Sequence, residues 1–328
     1  MLPVKQKRRS TLLLVRTPFQ AWLANKVIEH TDPPSIDLVY FTYHDSAKDR
    51  YYFALLAKKS RRSIYVNVRR RKRDALHYGY LYFTKFFGRG FNGYQKVLLA
   101  SFDSYLFRML ARRQKNAEFV TFDDGTANIY PQSSYHCYTP SRLSWLYDFL
   151  LRAGSREKFK KDINKHWTIY DKFENIVEGS RLELIHAWED NGESVADDEE
   201  PVKFFIGQPF DEVVKAGGFF ADDLSRLERL VSKLGIHYYL QHPREIHPLN
   251  IGATLIGDGE KIAEELIAEL CIGKKAIVYG WFTTVLFNLP SDRVRKIYLS
   301  LGETTDEKLR MMMCEKVGCE ILRVNSES

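Results

Sequence analysis

The apolar positions of this chain fall into short runs, and the polar residues between them alternate between two periods. "TLLLV" predicts a buried strand over 12–15, followed by a loop at 16–18 and a segment whose apolar positions recur as on an amphipathic helix. "SIDLVYFTYH" and "SIYVNVR" have the β-branched and aromatic character of a second and a third strand. "YQKVLLASFDSYLFRMLARRQ" spaces its apolar residues at three and four, which predicts one long helix, and it leads into a strand at 119–122. Residues 141–180 show helical and loop-like patterns without a clear strand. An acidic run at 189–201, "EDNGESVADDEEP", predicts a linker.

After it the alternation starts again. There is a strand in "VKFFIGQPF", a helix over 221–233, a strand ending at Leu240, a helix around "EKIAEELIAEL" and a strand opening "AIVYGWFTTVLFNLP". Strands that alternate with helices predict parallel sheets with helices on their faces. The fold class is therefore α/β, in two domains, 1–200 and 201–328. The chain has no internal repeat, no GxGxxG and no Walker-type loop, so dehydrogenase and kinase readings lose their usual support.

Composition adds a bias rather than a class. Of 328 residues, 45% are hydrophobic and 28% charged, as in ordinary globular proteins. The 14% aromatic share suits a sugar, base or membrane-interface binder as well as a large core. Lys and Arg number 49 against 42 Asp and Glu, a formal +7. The excess is local: "KKSRRSIYVNVRRRKR" at 58–73 carries nine basic side chains and no acid, and "MLPVKQKRRS" adds four. Such runs are either solvated faces or sites for nucleic acid, anionic lipid or lipopolysaccharide. Cys137, Cys271, Cys314 and Cys319 lack the paired spacing of a zinc site and read as reduced thiols of a cytosolic protein. "TLLLV" is too short for a signal-peptide core or a membrane span, so any membrane association is expected to be peripheral, on the inner face of the membrane.

Three strand ends carry the candidate chemistry. "FDDG" places Asp123 and Asp124 at the carboxyl end of a strand, where α/β sheets bind ligands. They are a catalytic carboxylate pair or the acids of a solvated Asp-Gly turn. "YYLQHPRE" places His242 and Pro243 in the loop after a strand. In "AIVYGWFTT", Thr283 and Thr284 stand where a helix begins, and hydroxyl and amide groups there can bind an anion or merely cap the helix.

The acidic pair with glycine, the His-Pro and the paired hydroxyls, in this order, resemble the motifs of bacterial sialyltransferases. With "RTPFQ", "HWTIYDKFENI" and "HPRE" they are most similar to glycosyltransferase family 52, the lipooligosaccharide sialyltransferases. Threonines stand where serines are common, and the run at 58–73 matches no family motif. The resemblance implies a GT-B-like pair of Rossmann-like domains facing a central cleft, a CMP-sialic acid donor, a galactose-ended glycan of lipooligosaccharide or capsule as acceptor, and inversion at the anomeric carbon. It implies no catalytic metal, no cofactor and no nucleic-acid partner, and it fits a homodimer. Asp124 or Asp123 would be the base, with the neighbouring charge raising one carboxyl. His242, Thr283 and Thr284 would meet the CMP phosphate, Pro243 would set the His242 loop, and Glu265 would meet the ribose. Gly207 and Gln208 would let the backbone approach the donor, and Thr17 and Gln20 would lie on the acceptor side. Two other readings stay open: a GT-B enzyme using a UDP-hexose, and a non-catalytic basic protein of polyanions or membrane surfaces.

Overall fold

A computed structural model describes residues 10–68, 75–188, 200–215, 221–257, 259–291, 293–302 and 304–324. The chain divides into two compact units, Met1–Ala187 and Trp188–Ser328.

In the first unit the elements run β1 (Thr11–Val15), α1 (Pro18–Thr31), β2 (Ile36–Thr42), α2 (Ala47–Lys58), β3 (Arg62–Asn67), α3 (Ala75–Lys85), β4 (Lys96–Leu99), α4 (Tyr105–Arg112), β5 (Glu118–Phe122), α5 (Ser144–Leu150), α6 (Arg156–Lys161), β6 (Lys165–Thr168) and β7 (Leu182–Leu184). The seven strands are all parallel, in the order β3-β2-β1-β4-β5-β6-β7. Every residue of β1 and β2 is buried, which explains their near-continuous apolar sequence: a parallel strand covered on both faces has no water side to alternate with.

The second unit runs β8 (Val202–Ile206), α7 (Phe210–Lys215), α8 (Ala221–Ser232), β9 (Tyr238–Leu240), β10 (Thr254–Ile256), α9 (Ala263–Leu270), β11 (Ala276–Gly280), α10 (Thr284–Asn288), β12 (Val294–Ser300), α11 (Thr305–Lys316) and β13 (Cys319–Arg323). Its six strands are again parallel, in the order β10-β9-β8-β11-β12-β13. Taken from the first strand of each unit, both sheets begin with the 3-2-1-4-5-6 order of a dinucleotide-type fold. The strand order therefore reverses at β1/β4 and at β8/β11, and the carboxyl ends of those strands flank the ligand crevice of such sheets.

Two expectations are corrected. The single long helix is instead β4, a loop at 100–104 and α4. "KVLL" is short enough to lie buried between β1 and β5, and "SFDS" supplies turn residues before α4. The segment 141–180 contains a strand, β6, because "KHWT" pairs with β5 and buries three of its four residues. The basic run is partly structural. Arg61 and Arg62 both bond the buried Asp37 in β2, at 2.7 and 2.9 Å, and Lys59 pairs with Glu29 at 2.7 Å. Residues 69–73 of that run, and most of the expected linker, lie outside the described residues.

Candidate functional site

In the first unit the chemistry gathers where β1, β4 and β5 end. Thr17 caps α1, its hydroxyl accepting from the Gln20 amide at 3.3 Å, and Pro18 occupies the first turn, where no N–H is needed. That cap aims the buried Gln20 side chain at β5. Its Nε2 donates to Asp124 Oδ1 at 2.5 Å and to Ser101 Oγ, after β4, at 2.6 Å. Its Oε1 accepts from the Arg16 amide at 2.8 Å. Ser101 and Tyr135 in turn donate to Asp124 Oδ2 at 3.0 and 2.8 Å.

The two acids do not form a carboxylate pair sharing a proton. Asp123 is fully buried and binds toward β6: Oδ1 accepts from His166 Nε2 at 3.0 Å and Oδ2 from the Ile169 amide at 2.8 Å. With the carboxylate as acceptor, Nε2 carries a ring proton, and Nδ1 shares a hydrogen bond with the Thr121 hydroxyl at 2.7 Å. Asp124 keeps an 18% exposed side chain and binds toward β1 and β4. Gly125 does take the left-handed backbone of a turn, φ +58°, and opens a short 3-10 helix, so turn and carboxylate site coexist.

Charge around Asp124 is set by Arg16, 4.0 Å from Asp124 Oδ2 and 3.7 Å from Asp103 Oδ2. Burial opposes the charge on Arg16, but the carboxylates of Asp103 and Asp124 outweigh it and hold the guanidinium above its ordinary range. Burial, with the same two carboxylates, pushes the Tyr135 phenol far up, so it stays a donor. Arg16, Thr17 and Asp103 also line a cleft of about 440 Å³ walled by Tyr43, Tyr78 and Tyr105. Aromatic walls with a few polar groups are the usual make-up of a small-ligand site.

In the second unit the loop after β8 holds Gly207 and Gln208, and the loop after β9 holds His242, Pro243 and Glu245. The Arg244 amide donates to His242 Nδ1 at 3.1 Å, which places the proton of the neutral ring on Nε2. Glu245 is buried between the loops. Its Oε1 accepts from the Tyr239 hydroxyl at 2.5 Å and its Oε2 from the His242 amide at 3.2 Å. A Cβ on Gly207 would stand 2.2 Å from Glu245 Oε2 and 2.6 Å from the Tyr239 ring, so glycine here makes room for the protein's own side chains. Burial drives the Glu245 carboxyl up to about 7 against the pull of its donors, and Asp211 adds like charge.

Thr283 is the N-cap of α10, accepting from the Val285 amide at 3.4 Å, and Thr284 is its first residue. Glu265 lies in the first turn of α9. The buried member of that turn is its neighbour Glu264, which accepts from Asn288 Nδ2 at 2.7 Å. Ser101 and Asp103 escaped notice because their loop reads as helix, and Tyr135 has no local signal at all. Glu245 stands in plain view in "HPRE", but only burial reveals its importance. Among the described residues no group of His, Cys, Asp and Glu could hold a metal ion, and no helix is long and apolar enough to cross a membrane.

The model of glycosyltransferase family 52 matches residues 37–301. An N-acetyllactosaminide alpha-2,3-sialyltransferase of Haemophilus influenzae is 28% identical over 298 residues, 88% of this chain and 92% of that protein. A CMP-N-acetylneuraminate:beta-galactoside alpha-2,3-sialyltransferase of Pasteurella multocida is 29% identical over 299 residues, 88% of this chain and 91% of that protein. Among solved structures, LpCGTa in complex with UDP is 11% identical with a TM-score of 0.50, covering 95% of this chain and 84% of that one. That likeness concerns the fold alone, which is the GT-B class built from two Rossmann-like units.

Proposed function

The chain belongs to glycosyltransferase family 52, and from that premise we propose that it is an inverting sialyltransferase moving sialic acid from CMP-sialic acid to a galactose-ended glycan. The activities of the two bacterial relatives support a β-galactoside acceptor and a 2,3 linkage. We assign the acceptor to the first unit and the donor to the second.

The observation that carries the reading is the surrounding of Asp124. Three neutral donors converge on its carboxylate and a guanidinium lies nearby, yet its Oδ1 takes only the Gln20 donor. A carboxylate oxygen accepts about two hydrogen bonds, so Oδ1 retains one direction for an acceptor hydroxyl. As that hydroxyl attacks the anomeric carbon, Asp124 takes its proton. Asp123, with both oxygens engaged inside the sheet, holds the β5 end in place. The cleft beside Arg16, with Thr17 on its wall, receives the galactoside.

On the donor side the bond from the anomeric carbon to the CMP phosphate breaks, and charge develops on a phosphate oxygen. His242 Nε2–H donates to that oxygen, and the hydroxyls of Thr283 and Thr284 with the α10 amides stabilise it. Gln208 and Pro243 shape the loops around the nucleotide, and Glu265 meets the ribose hydroxyls. Incubation with CMP-sialic acid and a panel of galactosides, with linkage analysis of the product, tests the reading. Protection from thermal unfolding by UDP but not CMP would refute the donor assignment.

A further inference from the structure

Besides Arg16, the cleft of the first unit is lined by Asp103, Ser104 and Tyr105, where α4 begins, and by Arg156, the first residue of α6. One buried side chain ties the two helix starts together. The Arg108 guanidinium donates to the Phe102 and Asp103 carbonyls at 2.9 and 2.8 Å, to the Gly154 carbonyl at 3.1 Å and to the Asp148 carboxylate at 3.0 Å. Its donors form a rigid fork, so the loop before α4 and the loop before α6 are held in one arrangement.

The fold leaves two polar groups over at this place. Ser104 is the N-cap residue of α4 and has the extended backbone of a cap, yet its hydroxyl accepts from no amide of that helix. It is 5% exposed and has no hydrogen-bond partner among the described residues. A buried hydroxyl without a partner is a cost that a ligand oxygen removes, and the α4 amides left uncapped favour a negative charge. The second group is Arg156, which lies 4.0 Å over the Tyr138 ring and has no carboxylate partner among the described residues. The neighbouring charges are matched already: Arg16 faces Asp103 and Asp124, at 3.7 and 4.0 Å, Tyr135 donates to Asp103 at 3.3 Å, and Arg108 holds Asp148. Burial holds the Arg108 guanidinium below its ordinary range, and Arg156 adds like charge. The lining of the cleft thus sets two guanidinium groups against one carboxylate.

Resting on the acceptor reading of this cleft, we propose that Arg156, Ser104 and the N-terminus of α4 form a subsite for an anionic substituent of the acceptor glycan, a phosphate, sulfate or carboxylate group borne near the galactose. The guanidinium offers such a group two parallel N–H donors, and the hydroxyl offers a third. The rings of Tyr43, Tyr78 and Tyr105 supply the apolar wall for the sugar itself. The carboxylate of the sialyl donor is a second source of the same chemistry. It is attached to the anomeric carbon, so during transfer it lies by the Asp124 base, where Arg16 is the cation in reach.

Calorimetric titration of N-acetyllactosamine and of its sulfate and phosphate esters at O6 of either ring, with no donor present, tests the subsite. At least one ester should bind the wild type about tenfold more tightly than the neutral parent, and less so in high salt. Arg156→Gln should bring that charged-to-neutral ratio to about one at an unchanged unfolding temperature, and Arg156→Lys should keep part of it. Ser104→Ala should lower the ratio about threefold without lowering the unfolding temperature, because the hydroxyl it removes caps nothing. The subsite is overturned if no ester binds more tightly than the parent or if the ratio survives Arg156→Gln. It is overturned as well if that variant weakens CMP-sialic acid and leaves the ratio alone, which would give Arg156 to the donor carboxylate. Absence of transfer from CMP-sialic acid to every galactoside would instead refute the sialyltransferase reading, while these affinities still decide the subsite.

Discussion

Glutamine in place of Glu245 should make the protein more stable at pH 8 and leave it unchanged at pH 4. Glu245 is enclosed by Tyr239 and by the loops of Gly207 and His242, with Asp211 and the Tyr239-facing Glu228 as nearby acids and Arg244 turned to Glu212. Burial raises its carboxyl from the ordinary 4.5 to about 7. Because the folded value lies above the unfolded one, the folded state binds the proton more tightly. Stability is then full below about pH 4.5, falls as pH rises toward 7 and is flat beyond. A displacement of that size corresponds to about 3 kcal/mol, and water reaching the loops reduces it to about 2. Glutamine keeps an oxygen for the His242 amide and never ionises, so it removes this loss. Urea unfolding of both proteins at pH 4, 5, 6, 7 and 8 should show a difference that grows from near zero to about 2 kcal/mol, several degrees in midpoint. A difference independent of pH, or a variant less stable at pH 8, would refute the reasoning.

The other expectations follow from the same geometry. Asp124→Asn should lower transfer at least about a hundredfold with CMP affinity unchanged, whereas Asp123→Asn, which leaves the buried His166 without its carboxylate, should lower the unfolding midpoint first; steady-state kinetics beside thermal melts separates the two. Gly207→Ala forces a methyl to within 2.2 Å of Glu245 Oε2, and calorimetry should show a loss of about 1–3 kcal/mol, with part of it recovered when Glu245→Ala is added. His242→Ala and Thr283→Ala should each slow donor cleavage by about ten- to a hundredfold, seen as a fall in kcat rather than a rise in acceptor KM.

Much of the architecture is legible along the chain because it depends on local pattern. Fully buried parallel strands must be continuous apolar runs, and "LLLV", "IDLVYF" and "AIVY" therefore announce β1, β2 and β11. The strand-end acids, the His-Pro and the paired threonines are likewise visible, since each follows a strand directly. Where a run is as short as "KVLL" or "KHWT", period alone cannot separate strand from helix, and only pairing with β5 on either side decided β4 and β6. The division of labour between two adjacent acids was also beyond the sequence. Asp123 and Asp124 differ only in which neighbours surround them, His166 in one case and Gln20, Ser101 and Tyr135 in the other, and those partners come from strand order rather than from spacing. Glu245 makes the same point: the letters "HPRE" show a charged loop, and the packing of Gly207 and Tyr239 over its carboxyl is what turns it into a buried acid that titrates near neutrality.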